Sequence, residues 1–113
     1  MAGYLEATGP IVKAAFDENT AAVHAVVAAP AVATRVPRVL SCHLIAAAAV
    51  TVTILAGAVP IHGPVDLGAN EGLNLQPSPW GWGPDGAAGA AINIELSDAV
   101  QVGGSIAVQH VDQ

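Results

Sequence analysis

Short runs in which hydrophobic and polar residues alternate fill most of the chain after residue 20. In one of them, "AVTVTILAG", Val50, Val52 and Ile54 share one parity and threonines take the positions between them. A period of two residues is typical of a β-strand with one buried face. Residues typical of turns separate these runs from one another. The runs are 21–29, 34–47, 49–57, 59–69, 71–77, 89–99 and 103–111.

The spacing of these runs indicates an all-β fold. Turn-forming residues recur about every ten positions, as they do in sandwiches and barrels, and no long helical period competes with the strands. The four alanines Ala46–Ala49 continue into strand patterning without a helix cap, so we expect a close-packed bend or a strand crossing there. We therefore predict a small jelly-roll-like or Greek-key β-sandwich of seven to eight short strands.

The first twenty residues carry weaker structural signals than the rest of the chain. Pro10 interrupts them, "DENT" at residues 17–20 is a turn or cap signal, and a short helix around Ile11–Phe16 fits the sequence. A chain of 113 residues is expected to form one domain. We predict an extended N-terminal arm at residues 1–20, ordered by a partner, and a β-sandwich domain at residues 21–113.

One segment has the length of a membrane span. Residues 39–57 include no charged side chain and follow Arg35 and Arg38. Three features oppose a membrane role: the strand alternation in "VTVTI", the lack of flanking aromatic residues, and His43, whose burial in lipid is costly. We therefore expect no membrane partner. A small membrane protein is kept as one alternative hypothesis for the function of the chain.

The balance of charge constrains the partners of the chain. Only 11% of the residues are charged, against about 25% in average proteins, while 53% are hydrophobic. So few charges do not solvate a whole surface, and we expect much of it to meet copies of this chain or a larger protein partner. The net charge of −6, with Lys13, Arg35 and Arg38 as the only cations, opposes nucleic-acid binding.

No arrangement of residue types predicts an enzyme. The four histidines lack metal-ligand spacing, and there is no G-x-S-x-G motif. Ser41, Cys42 and His43 are adjacent, so on a strand they point to alternate faces and cannot form a nucleophile–base pair. No carboxylate pair is singled out among Asp66, Glu71, Glu95 and Asp98. We expect no catalytic residue, metal or cofactor, and we expect the lone Cys42 to be a small buried thiol.

The segment "QPSPWGWGPDG", residues 76–86, holds both tryptophans of a chain that is only 4% aromatic. Its prolines and glycines predict an irregular, stiff loop that is neither a helix nor a central strand. A single indole ring could cap an open end of the sandwich core. Because tryptophan is the residue most enriched at interface hot spots, we expect at least one of Trp80 and Trp82 to contact another chain.

The order of these signals resembles that of small proteins encoded in the structural gene modules of tailed bacteriophages. The resemblance spans roughly residues 20–111, from "VLSCHLIAAAAVTVTILAG" through "GPVDLGANEGLNLQPSPWGW" to "AAGAAINIELSDAVQVGGSIAV". Its signals are the strand around Val50–Val52, the turn Gly63–Gly72, the loop Pro79–Trp82 and the segment Ala88–Gly104. The family that this order of signals resembles includes capsid cement, or decoration, proteins.

This resemblance implies a virion structural protein with a β-sandwich or jelly-roll fold. Such proteins are made in the host cytoplasm and sit outside the phage shell, where they tie neighbouring major capsid subunits together. The partners that it implies are the major capsid protein and further copies of the chain, as a homodimer or homotrimer. Some relatives are instead phage spike or tail-associated proteins, and a receptor- or glycan-binding module of that kind is the alternative, with Trp80 and Trp82 stacking on sugar.

A cement role gives the predicted arm a task. Ordering its backbone costs roughly 1–2 kcal/mol per residue, which only a large interface offsets. We expect the arm to lie across a neighbouring subunit. Its apolar anchors are expected to be Tyr4, Leu5, Ile11, Val12 and Phe16.

Overall fold

The computed structural model describes residues 9–78 and 81–112 of the chain. This part of the chain contains eight β-strands and no helix, which confirms the all-β prediction. The strands are β1 (Ile11–Glu18), β2 (Val23–Val27), β3 (Val36–Ala46), β4 (Val50–Ala56), β5 (Val59–Leu67), β6 (Gly72–Leu75), β7 (Ile92–Leu96) and β8 (Val102–Val111).

The strands form two antiparallel sheets that pack as a sandwich. The first sheet has the order β1-β8-β3-β6, and the second has the order β2-β7-β4-β5. Strands from the two ends of the chain pair with each other: β1 with β8, β2 with β7, β3 with β6 and β4 with β5. The chain is therefore one long antiparallel hairpin, rolled up so that β8 also meets β3 and β7 also meets β4. This rolled hairpin is a jelly roll.

Aliphatic side chains fill the space between the sheets. On β4 and β7 the predicted parity is confirmed, because Val52 lies opposite Leu96 and Ile54 lies opposite Ile94, all at most 2% exposed. Burying one such side chain contributes about 1.5–3 kcal/mol relative to leaving it in water. A core that branched aliphatic residues can fill explains why the chain folds with so few aromatic residues.

The alanine run makes the crossing between the two sheets, as its sequence predicts. Ala46 ends β3 in the first sheet, and Val50 begins β4 in the second. Ala46 is fully buried, and its amide donates to the carbonyl of Glu71 at 2.9 Å. The segment that has the length of a membrane span thus forms two strands with a corner between them. Among the residues described, no helix is long and apolar enough to cross a membrane.

Residues 11–18 correct the prediction of an arm at residues 1–20. They form β1, which pairs with β8 from Ile11 opposite Gln109 to Glu18 opposite Val102, and not the short helix around Ile11–Phe16 that the sequence also allows. Val12 and Phe16 alternate with exposed residues and pack against the core. The strand depends on β8, a partner at the far end of the sequence, which explains why the local pattern was weak. Residues 1–8 lie outside the described part of the chain.

Candidate interaction surfaces

The tryptophan-bearing loop completes the edge of the first sheet. Strand β6 covers β3 only from Cys42 to Ile45, so within the described residues the beginning of β3 has no partner strand on that side. At this point backbone amides of the loop donate hydrogen bonds to carbonyl groups at the start of β3 and in the residue just before it. The bonds are Ser78 N to Leu40 O at 2.9 Å, Trp82 N to Val39 O at 2.8 Å, Gly86 N to Pro37 O at 2.9 Å and Gly89 N to Arg35 O at 2.9 Å.

A glycine lets the same loop lie directly against the second sheet. Gly83 has a φ of +78°, a left-handed conformation that favours glycine, and a β-carbon there would collide with the carbonyl oxygen of Ile61 on β5. The loop therefore touches β3 of one sheet and β5 of the other. For its described residues, the prediction that it forms neither helix nor strand is confirmed.

The side chain of Trp82 links the loop to the core and to the start of the loop itself. Its ring is half-buried and packs against the core, and its Nε1–H donates to the carbonyl oxygen of Gln76 at 2.6 Å. The indole N–H is thus used inside the loop, as in a ring that caps the core. A contact between the exposed part of Trp82 and another chain stays a prediction. Trp80 lies outside the described residues.

An ion pair that the sequence analysis missed anchors the far side of the loop. Asp85, in the "GPDG" turn, accepts from both Nε and Nη2 of Arg38 at 2.9 Å, a bidentate arrangement. The hydrogen bond to Asp85 raises the pKa of Arg38 above its ordinary value. Arg35 forms a second pair with Asp112, with 2.9 Å between Nε and Oδ1. Two of the three cations of the chain are therefore engaged in ion pairs.

The outer side of the first sheet, which we call the first-sheet face, has mostly small or uncharged side chains. In register across its strands lie Ala15 and Ser105, and Lys13 and Ala107. A shallow depression of about 340 Å³ is centred on these positions and on Ser41. Among the described residues, the large hydrophobic side chains exposed on this face are Ile11 (54%) and Ile45 (49%), towards opposite ends of the strands.

The structure separates the five predicted arm anchors. Ile11 is exposed on the first-sheet face, whereas Val12 and Phe16 point inward and pack against the core, where they stabilise the sandwich. Tyr4 and Leu5 lie outside the described residues. Of the predicted contact residues, Ile11 is thus the one that the described structure leaves open to a partner with most of its surface.

Buried titratable groups lie within the sandwich rather than in a cleft. Cys42 is 2% exposed, and burial raises the pKa of its thiol to about 12. His110 is 5% exposed, and its Nε2 has no hydrogen-bond partner in the described part of the chain. Burial, and to a smaller extent the charge of Arg35, lower the pKa of His110. No group of three or more potential metal ligands occurs among the residues that the structure describes.

Comparison of the chain with protein-family models, with curated proteins and with solved structures finds no match. The fold by itself defines the class of protein: an all-β, two-sheet antiparallel sandwich with the strand order of a jelly roll.

Proposed function

We propose that this chain is a virion structural protein, a cement or decoration protein that binds the outside of a phage shell and bridges major capsid subunits. The proposal joins the resemblance of residues 20–111 to such proteins with one structural observation. That observation is the first-sheet face, a broad surface of small side chains with two exposed isoleucines.

Several properties of the first-sheet face favour contact with protein. Small side chains such as Ala15, Ser105 and Ala107 allow a partner backbone to approach closely. Charged side chains are few among its described residues: Lys13 and Asp17 lie on the edge strand β1, where Asp17 accepts hydrogen bonds from Gln101, and Arg38 is paired with Asp85. Burying such a face requires little desolvation of charge, and Ile11 and Ile45 supply apolar anchors.

The mechanism of a cement protein is mass action. A protein that binds the assembled shell, and not the free capsid subunits, stabilises the assembled state by the free energy of binding. Each copy contributes modestly, but the contribution repeats over all equivalent positions of the shell, and linked contacts multiply the effect. A self-folding sandwich suits this role, because the protein arrives rigid and little ordering entropy opposes its binding.

The test compares two single substitutions that add the same charge to opposite sheets. Ala15→Glu places a carboxylate in the depression of the first-sheet face, and Ala25→Glu places one at an exposed position of β2 in the second sheet. We expect wild type and Ala25→Glu to co-sediment with shells of the virus that encodes the chain, and Ala15→Glu to bind at least about tenfold more weakly. Equal binding by both variants, or no binding by the wild type, would contradict the proposal.

The alternative, a receptor- or glycan-binding spike module, predicts a different result. It requires the indole rings of Trp80 and Trp82 to stack on sugar. A saturable change in tryptophan fluorescence on titration with glycans, combined with no affinity for shells, would replace the cement proposal with this one. The Trp82 N–H, which already donates to Gln76, offers such a ligand no donor.

A further inference from the structure

The outer side of the second sheet carries a groove that the proposed function does not use. It has a volume of about 570 Å³. Its floor is formed by Thr51 and Thr53 on β4 and by Glu95 on β7, and its walls include Pro60 and Pro64 of β5. The backbone approach at Gly63, whose φ is +93° and whose added β-carbon would lie 2.9 Å from the Val52 carbonyl oxygen, brings this part of β5 close to β4.

Two polar groups on the floor of this groove have no partner. Thr53 and Glu95 lie directly opposite each other across β4 and β7. Thr53 is only 7% exposed, and within the described residues its hydroxyl forms no hydrogen bond, nor does the exposed Glu95 carboxylate form an ion pair. The Thr53 hydroxyl opens onto the groove, because His110 Nε2 is the buried side-chain atom without a partner in the described part of the chain and this hydroxyl is not buried. Together with the neighbouring Glu95 carboxylate it can accept hydrogen bonds from a donor supplied from outside.

The neighbouring polar groups are already satisfied, which sets Thr53 and Glu95 apart. The hydroxyl of Thr51 donates to Asp66 Oδ1 at 2.6 Å. The hydroxyl of Ser97 accepts from the Thr51 amide at 2.8 Å and donates to an oxygen of Asp98 at 3.2 Å. A ligand would thus meet two vacant acceptor groups on a floor whose other hydroxyls are fixed in place.

The charge of this face selects the donor. Glu95 lies in the groove, and Asp66 and Asp98 lie next to it, bonded to its hydroxyls. None of the three cations of the chain lines the groove: Lys13 is on β1, and Arg35 and Arg38 are paired with Asp112 and Asp85. A cationic donor is therefore complementary to the groove, and an anionic ligand is repelled.

We propose that the groove binds an arginine side chain from an extended segment of a partner protein. The guanidinium donates to the Glu95 carboxylate and to the Thr53 hydroxyl, a fork of donors that a lysine ammonium does not match. The arginine methylenes pack against the prolines of the wall and against Val23, which is 50% exposed and lies opposite Glu95. This inference rests on the groove alone and does not depend on the cement role.

The test titrates ¹⁵N-labelled full-length protein with the peptide acetyl-Ala-Arg-Ala-amide. The matched peptide replaces arginine with citrulline, which has the same shape and no charge. We expect the arginine peptide to shift the amide signals of β4 and β7 around Thr53 and Glu95, and the citrulline peptide to leave them in place. Glu95→Gln should weaken binding about fivefold or more, and Thr53→Val, which keeps the side-chain shape, about threefold.

A control variant separates a specific site from general attraction to an acidic protein. Asp17→Asn removes one negative charge from the first sheet and should bind the arginine peptide like the wild type. The proposal is wrong if citrulline produces the same shifts, if Glu95→Gln and Asp17→Asn behave alike, or if the shifts fall outside the groove. It is also wrong if maltotriose, a probe with hydroxyl groups only, occupies the groove and the arginine peptide does not. The spectrum of each variant reports whether it is folded.

Discussion

Protonation of the buried His110 opposes folding. Because burial and Arg35 lower its pKa, the unfolded chain takes up a proton near the ordinary value of 6.5, at a pH where the folded chain does not. Its contribution to stability is therefore complete above about 6.5 and is lost as the pH falls through that value towards the lower pKa of the folded state. Each unit of pKa difference corresponds to about 1.4 kcal/mol.

We expect the free energy of urea unfolding to fall between pH 7.5 and 5 in the wild type, and the slope to be smaller in His110→Leu. The slope, and not the absolute stability, is the measurement, because the substitution itself changes packing. Val108→Ala, which disturbs core packing on the same strand and removes no titratable group, serves as the control and should keep the wild-type slope. Parallel curves for the wild type and His110→Leu would show that another group causes the pH dependence.

The buried thiol of Cys42 provides a chemical probe of how often the sandwich opens. With a thiol pKa of about 12 and 2% exposure, it has almost no thiolate at pH 8 and no access to reagent. We expect an aromatic disulfide reagent to label it only at the rate at which the sandwich opens, and at once in concentrated guanidinium chloride. His43→Cys, one residue further along β3 and on the exposed side, should label within the mixing time. Rapid labelling of native wild-type protein would contradict the burial of Cys42.

Contacts between individual residues were the part of the structure that the sequence predicted least well. The burial of Cys42 was predicted from its apolar surroundings, but the pair of Arg38 with Asp85 was not, because 47 positions separate these residues and only the jelly roll brings them together. The acceptor pair Thr53 and Glu95 was missed for the same reason. Each belongs to an ordinary alternating strand, and their closeness depends on the register between β4 and β7.

At the scale of elements, the loop between β6 and β7 makes a prediction that separates steric contact from backbone strain. Gly83 and Gly57 both have positive φ, +78° and +61°, so alanine strains the backbone at either position. A β-carbon at Gly83 would also collide with the Ile61 carbonyl, whereas one at Gly57 meets no atom within 4 Å. We expect Gly83→Ala to lower the free energy of unfolding by about 2 kcal/mol more than Gly57→Ala.

Chemical denaturation of the two variants measures this difference. If they are equally destabilised, the loop does not rest on β5 as described. The backbone strain is common to both substitutions and cancels in the comparison.

The other strands show which structural signals can be found in a single sequence. Strands β2 to β8 fall within the runs found from alternation, to within a residue, because each strand has one face in an aliphatic core. Strand β1 was missed because its inward residues include Ala14 and because "DENT" and Pro10 are typical of turns. An edge strand of this kind is specified mainly by its neighbour, β8, and that neighbour lies at the other end of the sequence.

At the scale of the whole molecule, the extent of β1 decides how the predicted arm should be tested. Deleting residues 1–8 leaves every described strand in place, whereas deleting residues 1–16 removes Val12 and Phe16 from the core and exposes one edge of β8. We expect the shorter deletion to keep the wild-type melting temperature and to weaken shell binding. The longer deletion should lower the melting temperature by about 10 °C or more, since two partly buried side chains are lost.

Occupancy of shells and thermal unfolding measure the two effects separately. If the protein without residues 1–8 decorates shells as fully as the wild type, Tyr4 and Leu5 are not anchors. If the protein without residues 1–16 melts like the wild type, the pairing of β1 with β8 contributes nothing to the fold, against the register observed.

The overall architecture was predictable in kind because its causes are distributed along the whole chain. A regular spacing of short, one-sided strands leaves few folds other than a sandwich or barrel, and the small residues at Ala46–Ala49 marked one of the sheet-to-sheet crossings. The strand order was not predictable, because several ways of pairing eight similar strands bury the same aliphatic residues. What distinguishes them is the set of backbone hydrogen bonds, which the side-chain pattern does not encode.

The pairing of β1 with β8 also makes the molecule convenient to engineer. Pro10 and His110 are joined by a backbone hydrogen bond of 3.1 Å, so the two described ends of the chain are neighbours at one corner. A short glycine-rich link could close them into a ring, and a cut in the exposed alanines at 47–49 would create new ends at the opposite end of the first sheet. One scaffold could thus carry a fused cargo at either pole.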